Sequence, residues 1–440
     1  MLLEFAITNF RSVKNRQVMD FRASTSSLKK DLSENLTSFT PKQYGGNVIK
    51  AAIVYGANAA GKSSFLKAIE ALEELVVNSD KLKLDKSIPA YDPFLLDNFS
   101  RNQPTIFEIE FIAKDQKRYF YELAIEKYQV LKEELSVYPE GRNTIRKAML
   151  FSRKTEDSIV FGETYKGKKD FSLNKNQLLL SQAGLNSIPT LTEPYRFFST
   201  FLFSAPAYSS NFDEKMLADT EKLLSSDKES VLFTKAINSL IRAADTGISR
   251  MFTQETELIL PEDMPEKERQ LFLDRFKRRL KTAHPIFENG KEIGEEIFDL
   301  SRESTGTIKL VGLATFVVSA LQNGSVVIVD ELDKSMHPLL TRMIIRLFHD
   351  ADLNKNNAQL VFSTHDISLI DREMFRLDQI FIVDKDTKGI STISRLSDFK
   401  GVTKVKSLQK WYTLGMFRGI PAINDYEIDL QEILNKNEKH

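Results

Sequence analysis

The pattern of apolar and polar positions predicts an α/β unit at the start of the chain. Alternation over Leu2–Asn9 predicts a strand, with Val18–Phe21 as its partner, and the apolar run Lys50–Tyr55 predicts a buried strand. A glycine-containing loop and a helical pattern over Ser63–Val77 follow that run. Strand, glycine loop and helix in this order are typical of the opening of a nucleotide-binding unit.

The middle of the chain, residues 105–293, has two kinds of pattern. The first part predicts an antiparallel β-meander, because five short strand patterns follow one another with only polar turns between them. They cover Thr105–Phe111, Tyr119–Ile125, Leu131–Tyr138, Ala148–Phe151 and Ser158–Phe161. The second part, from about Phe171 to Ile293, is predicted to be mostly helical. Its helical patterns cover Glu214–Leu224, Glu229–Ala244 and Glu266–Lys281.

An alternating pattern of helices and strands returns after Phe298. Helices are predicted at Thr307–Leu321 and Leu339–His349, and strands at Ser325–Val329, Gln359–Phe362 and Gln379–Val383. The sequence therefore predicts an α/β core that is split by a mixed antiparallel-β and helical insertion. The predicted domains are residues 1–104 and 294–385 for the two core halves, 105–293 for the insertion and 386–440 for a C-terminal extension.

Composition excludes several classes of protein. The 440 residues carry 61 Lys plus Arg against 61 Asp plus Glu, so the chain does not bind nucleic acid along its whole surface. The absence of cysteine excludes a disulfide framework, a thiolate zinc site and a cysteine nucleophile. The N-terminal segment lacks a signal-peptide cleavage site, and the longest mostly apolar run, about Val311–Leu321, is shorter than the roughly 20 residues that span a bilayer. We expect a cytoplasmic protein without a membrane partner.

The strongest chemical signal is the segment GANAAGKS, Gly56–Ser63, between the first buried strand and its helix. It matches the phosphate-binding P-loop pattern G-x-x-x-x-G-K-[ST] in the expected structural context. Backbone N–H groups and the positive end of the helix surround a phosphate in such a loop. Lys62 would reach the β- and γ-phosphates, and the Ser63 hydroxyl would bind Mg²⁺.

Two later strands end in polar residues that complete this chemistry. The strand in SVVIVDEL, Ser325–Leu332, ends at Asp330 and Glu331. Beside a P-loop, Asp330 is expected to hold Mg²⁺ through water, and Glu331 to orient or deprotonate the attacking water. Without a P-loop, the same pattern is a common strand end before a helix cap. The segment VFSTHD, Val361–Asp366, follows about one βαβ step later, and His365 is expected to sense the γ-phosphate.

A fourth segment, LSRESTGT, Leu300–Thr307, lies just before a predicted helix. Ser304 and Gly306 at a helix start are suited to bind an anion, although in isolation a simple helix cap is the default interpretation. The order of P-loop, long insertion, Ser304-x-Gly306, Asp-Glu and histidine resembles the ABC-type ATPase heads. More narrowly, it is similar to their soluble branch of SMC, RecF and OLD-family proteins.

Further segments narrow the resemblance. ITNFRSVK, Ile7–Lys14, is similar to the opening strand and adenine-side loop of that branch. DELDKSMHP, Asp330–Pro338, and AADTGI, Ala243–Ile248, look like segments of bacterial abortive-infection and Rlo-type ATPases of anti-phage defence. The closing segment WYTLGMFRGIP, Trp411–Pro421, is similar to the ends of those ATPases.

The resemblance implies a self-associated dimer that encloses two ATP molecules with Mg²⁺. It assigns catalytic roles to Lys62, Glu331 and His365, and metal binding to Ser63 and Asp330. The implied nucleotide-binding positions are Arg11, Gly56, Asn58, Ala59, Ala60, Gly61, Lys62, Ser63, Ser64, Ser304 and Gly306.

Two of these positions act across the implied dimer. The partner protomer supplies Ser304 and Gly306 to the γ-phosphate, and Asp333 matches the segment that couples the two sites. The sequence departs from the family in lacking the double glycine of transporter signatures. It also has no clear Q-loop glutamine, although Gln103 and the segment Tyr91–Asp97 lie in a plausible region.

The function implied by the resemblance is an ATPase that senses infection and regulates a separately encoded nuclease or toxin. The alternatives are a RecF-like DNA-repair ATPase that clamps duplex DNA, and an ATP-gated scaffold with little turnover, so nucleic acid is a further candidate partner. Too few residues follow Val383 for the Toprim nuclease domain of OLD proteins, and Asp384 and Asp386 are predicted to lie in a turn. We expect the insertion, with its charged segment Glu266–Lys281, to dock a partner protein; a homo-oligomer contact is the alternative.

Overall fold

A computed structural model describes most of the chain. The described residues are 1–24, 30–38, 46–139, 146–154, 157–205, 229–255 and 278–421, with residues 220, 224, 261, 264–266 and 269. Their α-helices are α1 (Lys62–Asn78), α2 (Pro189–Phe201), α3 (Glu229–Ala243), α4 (Thr305–Asn323), α5 (Pro338–His349) and α6 (Leu408–Thr413).

The strands of the described residues form four sheets. The first ten strands are β1 (Leu2–Thr8), β2 (Gln17–Asp20), β3 (Leu36–Ser38), β4 (Asn47–Ile49), β5 (Ala51–Tyr55), β6 (Thr105–Ile112), β7 (Arg118–Ile125), β8 (Val130–Val137), β9 (Ala148–Lys154) and β10 (Asp157–Phe161). The others are β11 (Leu202–Ala205), β12 (Arg250–Glu255), β13 (Arg278–Glu288), β14 (Lys291–Asp299), β15 (Val326–Val329), β16 (Gln359–Ser363), β17 (Ile380–Lys385) and β18 (Ser391–Arg395).

The central sheet joins two distant parts of the sequence. Its six strands lie in the order β11-β15-β16-β5-β17-β18, and all are parallel to their neighbours except β18. Strand β5 lies between two later strands, since Val54 is paired with both Ser363 and Phe381. The predicted α/β fold with a core split in sequence is therefore confirmed. Strand β11, which the sequence pattern did not predict, adds a parallel edge strand from the insertion.

A seven-stranded antiparallel sheet contains the predicted β-meander. Its order is β10-β9-β8-β7-β6-β1-β2, which confirms the meander and the pairing of the two N-terminal strands. Strand β6 is hydrogen-bonded to β1, so the predicted insertion and the chain start share one sheet. The two-stranded sheet β3-β4 precedes β5. The division of the chain at residue 104 stays a prediction.

Helix α1 lies in the main hydrophobic core, between the seven-stranded sheet and one face of the central sheet. Phe65, Ile69 and Leu72 are fully buried there with Ala52 and Val54 of β5. Side chains alternate along a strand, so the remaining β5 residues face a second core formed with α4 and α5. Burying each large apolar side chain stabilises the fold by about 1.5–3 kcal/mol. The two packed layers therefore hold β5, α1 and the P-loop between them in place.

Helix α4 is buried on two faces. Leu313 and Val317 belong to the core of the central sheet, whereas Val311, Ala314 and Val318 pack with α3, β12 and β13 in a third cluster. Among the described helices, α4 is the one long and apolar enough to cross a membrane, and 67% of that window is buried inside the protein. A helix that is apolar on all sides is typical of the interior of a large domain.

The prediction of a mostly helical second part of the insertion is only partly correct. Helix α3 confirms the helix predicted at Glu229–Ala244. Strands β12, β13 and β14 instead form an antiparallel sheet, so the helix predicted at Glu266–Lys281 is wrong over residues 278–281. Leu280 and Thr282 are buried in this sheet. Pairing on both edges of β13 satisfies the hydrogen bonds of its backbone. This pairing outweighs the helical tendency indicated by the spacing of its charged residues.

Two other parts of that prediction have a different outcome. The helix predicted at Glu214–Leu224 lies, apart from residues 220 and 224, outside the described residues, as do residues 267–268 and 270–277. Strand β14 crosses the predicted boundary between residues 293 and 294 and leads directly to the segment that precedes α4.

Candidate functional site

The carboxyl ends of four parallel strands meet at one edge of the central sheet. The P-loop follows β5, the acidic pair follows β15, the histidine segment follows β16, and the turn beyond β17 lies beside them. Ligands of open α/β sheets bind at such an edge. A cleft of about 760 Å³ lies there, within the range of about 300–1,000 Å³ of small-molecule sites. Of the predicted site residues, those lining it are Arg11, Asn58, Ala59, Gly61, Lys62, Ser63, Ser64, Glu331 and His365.

Two glycines allow the P-loop to take its shape. Gly61 has a φ of 110°, which residues with a side chain rarely adopt, and it caps α1 directly before Lys62. A Cβ atom on Gly56 would lie 2.6 Å from the carbonyl oxygen of Val383, because β17 passes close to the loop. The loop therefore brings the N-terminal N–H groups of α1 to the cleft, where they can bind phosphate.

Lys62 lies at the mouth of the loop. Its Nζ donates hydrogen bonds to the carbonyl oxygens of Gly56 at 2.8 Å and Ala57 at 3.2 Å. Burial lowers the pKa of the Lys62 ammonium, and the nearby carboxylates of Asp330 and Glu331 oppose that shift. The Lys62 side chain therefore lies between the loop and the acidic strand end, where it can exchange two carbonyl acceptors for phosphate oxygens.

Asp330 has the surroundings of a metal-binding carboxylate. It is 8% exposed, and its Oδ1 accepts a hydrogen bond from the Ser363 hydroxyl. Its Oδ2 is buried and has no hydrogen-bond partner among the described residues. A buried carboxylate oxygen without a partner is costly, and a cation or a cation-bound water would satisfy it. Carboxylate and hydroxyl oxygens, here with Ser63 in the adjoining cleft, fit Mg²⁺ bound chiefly through nucleotide phosphates and water.

Glu331 has a strained backbone that aims its side chain at the cleft. Its φ is 52°, in the left-handed region that bulky residues avoid. The conformation is fixed on both sides: the Glu331 N–H donates to Ser363 Oγ at 2.8 Å, and its carbonyl oxygen accepts from Lys309 Nζ at 2.9 Å and Lys334 N at 3.0 Å. The Lys334 ammonium also lies 3.3 Å from Glu331 Oε2. Glu331 can therefore accept a proton in the cleft from a defined position.

His365 and Asp333 connect the histidine segment, which follows β16, with the acidic turn, residues 330–335, which follows β15. The His365 side chain is exposed and lines the cleft, and its backbone N–H donates to Asp333 Oδ2 at 3.3 Å. The other oxygen, Asp333 Oδ1, is buried without a hydrogen-bond partner among the described residues. These contacts tie together two segments that the sequence analysis assigned to one nucleotide site.

Ser304 and Gly306 do not line the cleft of their own protomer. Ser304 is exposed, and its Oγ caps α4 by accepting a hydrogen bond from Thr307 N at 3.1 Å. Gly306 faces the acidic turn: a Cβ atom there would lie 2.5 Å from the carbonyl oxygen of Ser335. The exposed Ser304 is available to a second molecule, whereas Gly306 is also required by a close approach inside this chain.

Part of the cleft wall comes from the segment Tyr91–Asp97, a Q-loop candidate of the sequence analysis whose leucines were not assigned to the cleft. Asp92, which accepts a hydrogen bond from Arg11 Nε at 2.8 Å, begins a segment that ends at Leu95 and Leu96. These two leucines line the cleft with exposed fractions of 55% and 72%, so apolar surface is open on this side. Gln103, one of the Q-loop candidates, does not line the cleft. The additional lining residues are Ser12, Asp92, Pro93, Phe94, Leu95, Leu96, Ala57, Lys385 and Gly389.

The C-terminal segment of the described chain packs behind the P-loop. The rings of Tyr412 and Tyr55 lie 5.6 Å apart, and the Tyr412 hydroxyl donates to the carbonyl oxygen of Gly419 at 2.9 Å. Backbone at Gly419 closely approaches Gly56. A second cavity of about 380 Å³ lies between this segment and His365. The segment therefore forms the rear support of the loop.

Asp386 lies in the turn after β17, as predicted, whereas Asp384 belongs to β17 itself and is paired there with Thr392 of β18. Asp386 Oδ1 accepts backbone hydrogen bonds from Lys388 at 2.9 Å and Ile390 at 2.8 Å, and Asp384 Oδ1 accepts one from Gly419 at 3.3 Å. Within the described part of the chain, no group of three or more His, Asp and Glu side chains is placed to hold a metal ion.

A family model matches the part of the chain that contains this site. The model described as "AAA domain, putative AbiEii toxin, Type IV TA system" matches residues 51–371, which is most of the chain. The chain belongs to this AAA-domain family. The match includes the P-loop, the acidic strand end and His365. The resemblance to P-loop ATPases related to abortive infection is therefore confirmed, together with the fold class.

Solved structures of SMC heads are similar to this AAA-domain protein over most of its length. An SMC head bound to the C-terminal winged-helix domain of ScpA has 12% identity and a TM-score of 0.45, covering 89% of this chain and 97% of that one. The SMC head domain from Thermotoga maritima has 13% identity and a TM-score of 0.39, covering 90% and 98%. A Pyrococcus furiosus Smc head bound to the C-terminal domain of ScpA has 13% identity and a TM-score of 0.43, covering 92% and 98%. No curated protein matches the sequence.

Proposed function

We propose that this protein binds and hydrolyses ATP with Mg²⁺. The observation that carries the proposal is the juxtaposition of three groups at one sheet edge. They are the P-loop ammonium of Lys62, the buried carboxylate of Asp330 with an unsatisfied oxygen, and the carboxylate of Glu331 on a strained backbone. Each meets a separate requirement of phosphoryl transfer: phosphate binding, metal binding and activation of water.

In this mechanism the chain positions the phosphates and moves one proton. Lys62 exchanges its contacts with the loop carbonyls for oxygens of the β- and γ-phosphates. Ser63 and Asp330 would hold Mg²⁺, which would neutralise the phosphate charge when bound. Glu331 accepts the proton of the attacking water, and His365 donates a hydrogen bond to the γ-phosphate. The exposed Leu95 and Leu96 provide apolar surface for the base on the open side of the cleft.

We further propose that two protomers enclose two nucleotides, with Ser304 reaching the γ-phosphate in the partner. The exposure of Ser304 at the positive end of a 19-residue helix, outside its own cleft, supports this role. Ser304→Asp tests it, because aspartate keeps the helix cap and repels a phosphate. Gly306 is unsuitable for the test, since any side chain there would also disturb Ser335 in the same protomer.

Mixing Lys62→Ala and Ser304→Asp proteins, each expected to be inactive alone, should restore part of the ATPase activity. In a mixed dimer both defects fall in one site, and the other site is intact. If the two sites hydrolyse independently, we expect about a quarter of the wild-type rate at equal mixing, because half of random dimers are mixed and each has one intact site. Steady-state phosphate release measures the rate, and Ser304→Thr is the control. No recovery in proven mixed dimers contradicts the arrangement in trans, unless hydrolysis in one site requires closure of the other.

The regulatory part of the proposal rests on how the insertion is attached. The third hydrophobic cluster joins α3 and β12 to α4, the helix that begins beside Ser304. The residue before Ser304, Glu303, accepts a hydrogen bond from Thr282 Oγ1 at 2.6 Å, and its Oε1 lies 2.8 Å from His284 Nε2. Thr282 and His284 both belong to β13. A protein bound to the insertion would therefore contact a sheet that is joined directly to the start of α4.

The outer half of the β13–β14 hairpin is the exposed part of this insertion. Phe287 is 62% exposed and Ile293 is 59% exposed, so apolar side chains face solvent there. The same segment carries exposed acidic residues, which repel nucleic acid and favour a protein partner. These residues are Glu288, Glu292, Glu295 and Glu296. We propose that the hairpin contacts a separately encoded effector, a nuclease or toxin, in anti-phage defence.

Co-expression with the product of the adjacent gene is expected to give a complex whose stability depends on the ATP state. Pull-down with wild-type and Glu331→Gln proteins measures this dependence, because the second is expected to stay ATP-bound. Phe287→Ser combined with Ile293→Ser should weaken capture while leaving ATP hydrolysis unchanged. A protein that protects cells from phage alone, without a bound partner, contradicts this role. Tight, salt-dependent binding of duplex DNA would favour the DNA-repair alternative, and negligible turnover the scaffold alternative.

A further inference from the structure

Lys309 is a buried cation on the helix that begins beside Ser304. It lies within the first two turns of α4 and is 8% exposed, although lysine is seldom buried without partners. Its Nζ donates hydrogen bonds to the carbonyl oxygens of Glu331 and Lys334, each at 2.9 Å. The ammonium therefore joins α4 to the tight turn Glu331–Ser335, whose first residue is proposed to activate water.

That turn is strained and needs external support. Glu331 and Ser335 both have positive φ values, 52° and 61°. Non-glycine residues keep such conformations only where the surrounding structure over-determines them. Charge-assisted hydrogen bonds from a buried ammonium are strong enough to provide this support. Without them, the Glu331 carbonyl would retain Lys334 N as a donor, and the turn could relax towards an ordinary conformation.

A second contact joins the same two elements. Gly306, near the start of α4, lies against the carbonyl oxygen of Ser335, and the approach leaves no room for a Cβ atom. Helix α4 and the turn thus touch at both ends of the turn, through Lys309 and through Gly306. A movement of the helix start is transmitted to Glu331, since packed elements of this kind shift together rather than deform.

We propose that Lys309 is a positioning residue that makes hydrolysis in one nucleotide site depend on closure of the other. The inference rests on the proposed function, in which Ser304 binds the partner's γ-phosphate and Glu331 activates water in its own site. When Ser304 binds across the dimer, the start of α4 is fixed. Lys309 then holds Glu331 in its active orientation.

Lys309→Met is the decisive variant, because it keeps the aliphatic stem and removes the ammonium. We expect kcat to fall by about 10²-fold, the loss typical of a small misplacement of a catalytic group, with the Kd for ATP changed less than about twofold. Lys309→Arg, which restores a charged donor, should recover most of kcat. In a Glu331→Gln background, Lys309→Met should cause no further loss, because the two residues act in one pathway.

Each outcome of this experiment is decisive. Normal kcat in Lys309→Met, or an equal loss of kcat in the Glu331→Gln background, overturns the positioning role. If Lys309→Met does not fold, as judged by thermal unfolding, Lys309→Gln replaces it with the same expected results. Wild-type protein and Glu331→Gln are measured in parallel. If the wild type does not turn over, or if Glu331→Gln turns over at the full rate, the proposed function itself is refuted. If both behave as expected and Lys309→Met has a normal kcat, only the role of Lys309 is refuted.

Discussion

Replacing Lys62 with alanine is expected to abolish productive ATP binding. The ammonium is the cation that the P-loop presents, and its hydrogen bonds to Gly56 and Ala57 place it at the mouth of the loop. Alanine leaves the glycines and helix N-terminus in place, so weak phosphate binding can persist without alignment of the β- and γ-phosphates. Calorimetric titration with ATP and steady-state phosphate release measure the two effects.

The control for this change is Lys81→Ala, which removes an exposed lysine just beyond the other end of α1. It should leave both ATP affinity and turnover unchanged. Thermal unfolding of Lys62→Ala separates a local effect from loss of the fold, because the native lysine also bonds to the loop. Hydrolysis near the wild-type rate by a folded Lys62→Ala protein would contradict the P-loop assignment.

Glu331→Gln is expected to bind ATP with little change and to hydrolyse it about 10²–10⁴-fold more slowly, the typical effect of removing a general base. Glutamine has the shape of glutamate, so the strained backbone and its hydrogen bonds to Ser363 and Lys309 can persist. Asp330 remains to hold Mg²⁺. Because ATP is not consumed, the closed dimer should accumulate, which size-exclusion chromatography with ATP can detect.

Lys334→Met is the matched control for the glutamine variant. It removes the ion pair with Glu331, whose atoms are 3.3 Å apart, but keeps the carboxylate. Lys334 is 61% exposed on its side chain, and we expect only a small effect on turnover. Equal losses of turnover in Lys334→Met and Glu331→Gln would mean that hydrolysis requires the ion pair rather than the carboxylate alone. Normal turnover by Glu331→Gln beside an inactive Asp330→Asn would show that the water-activating role is wrongly assigned.

Local sequence was sufficient to predict the core elements of the site. The P-loop is contiguous and carries its own conformational requirements, so Gly56, Gly61 and Lys62 could be placed between a strand and a helix before any tertiary contact was known. The Asp330–Glu331 pair and His365 follow apolar runs, and a buried strand in an α/β unit has few alternative positions. The central sheet brings these segments together in the predicted manner.

The insertion was less predictable because its strands are stabilised by distant partners. The charges at the start of β13 have helical spacing, yet β12 and β14 both pair with that strand. Helical and strand patterns differ little over a few charged residues, so the pairing decides between them. The same limit explains why Leu95 and Leu96 were not assigned to the cleft: nothing in the local pattern distinguishes leucines at a ligand wall from leucines in a core.

The sequence by itself determined the P-loop segment, the split α/β core and the resemblance to the family, because these depend on short motifs and patterns of adjacent residues. Only the tertiary structure decided how the functional groups support one another. The Ser363 hydroxyl reaches Asp330, Lys309 holds the turn at Glu331, and Gly306 lies against Ser335. These contacts join residues 22 to 33 positions apart, and their geometry follows from the packing of helices on a sheet rather than from any local pattern.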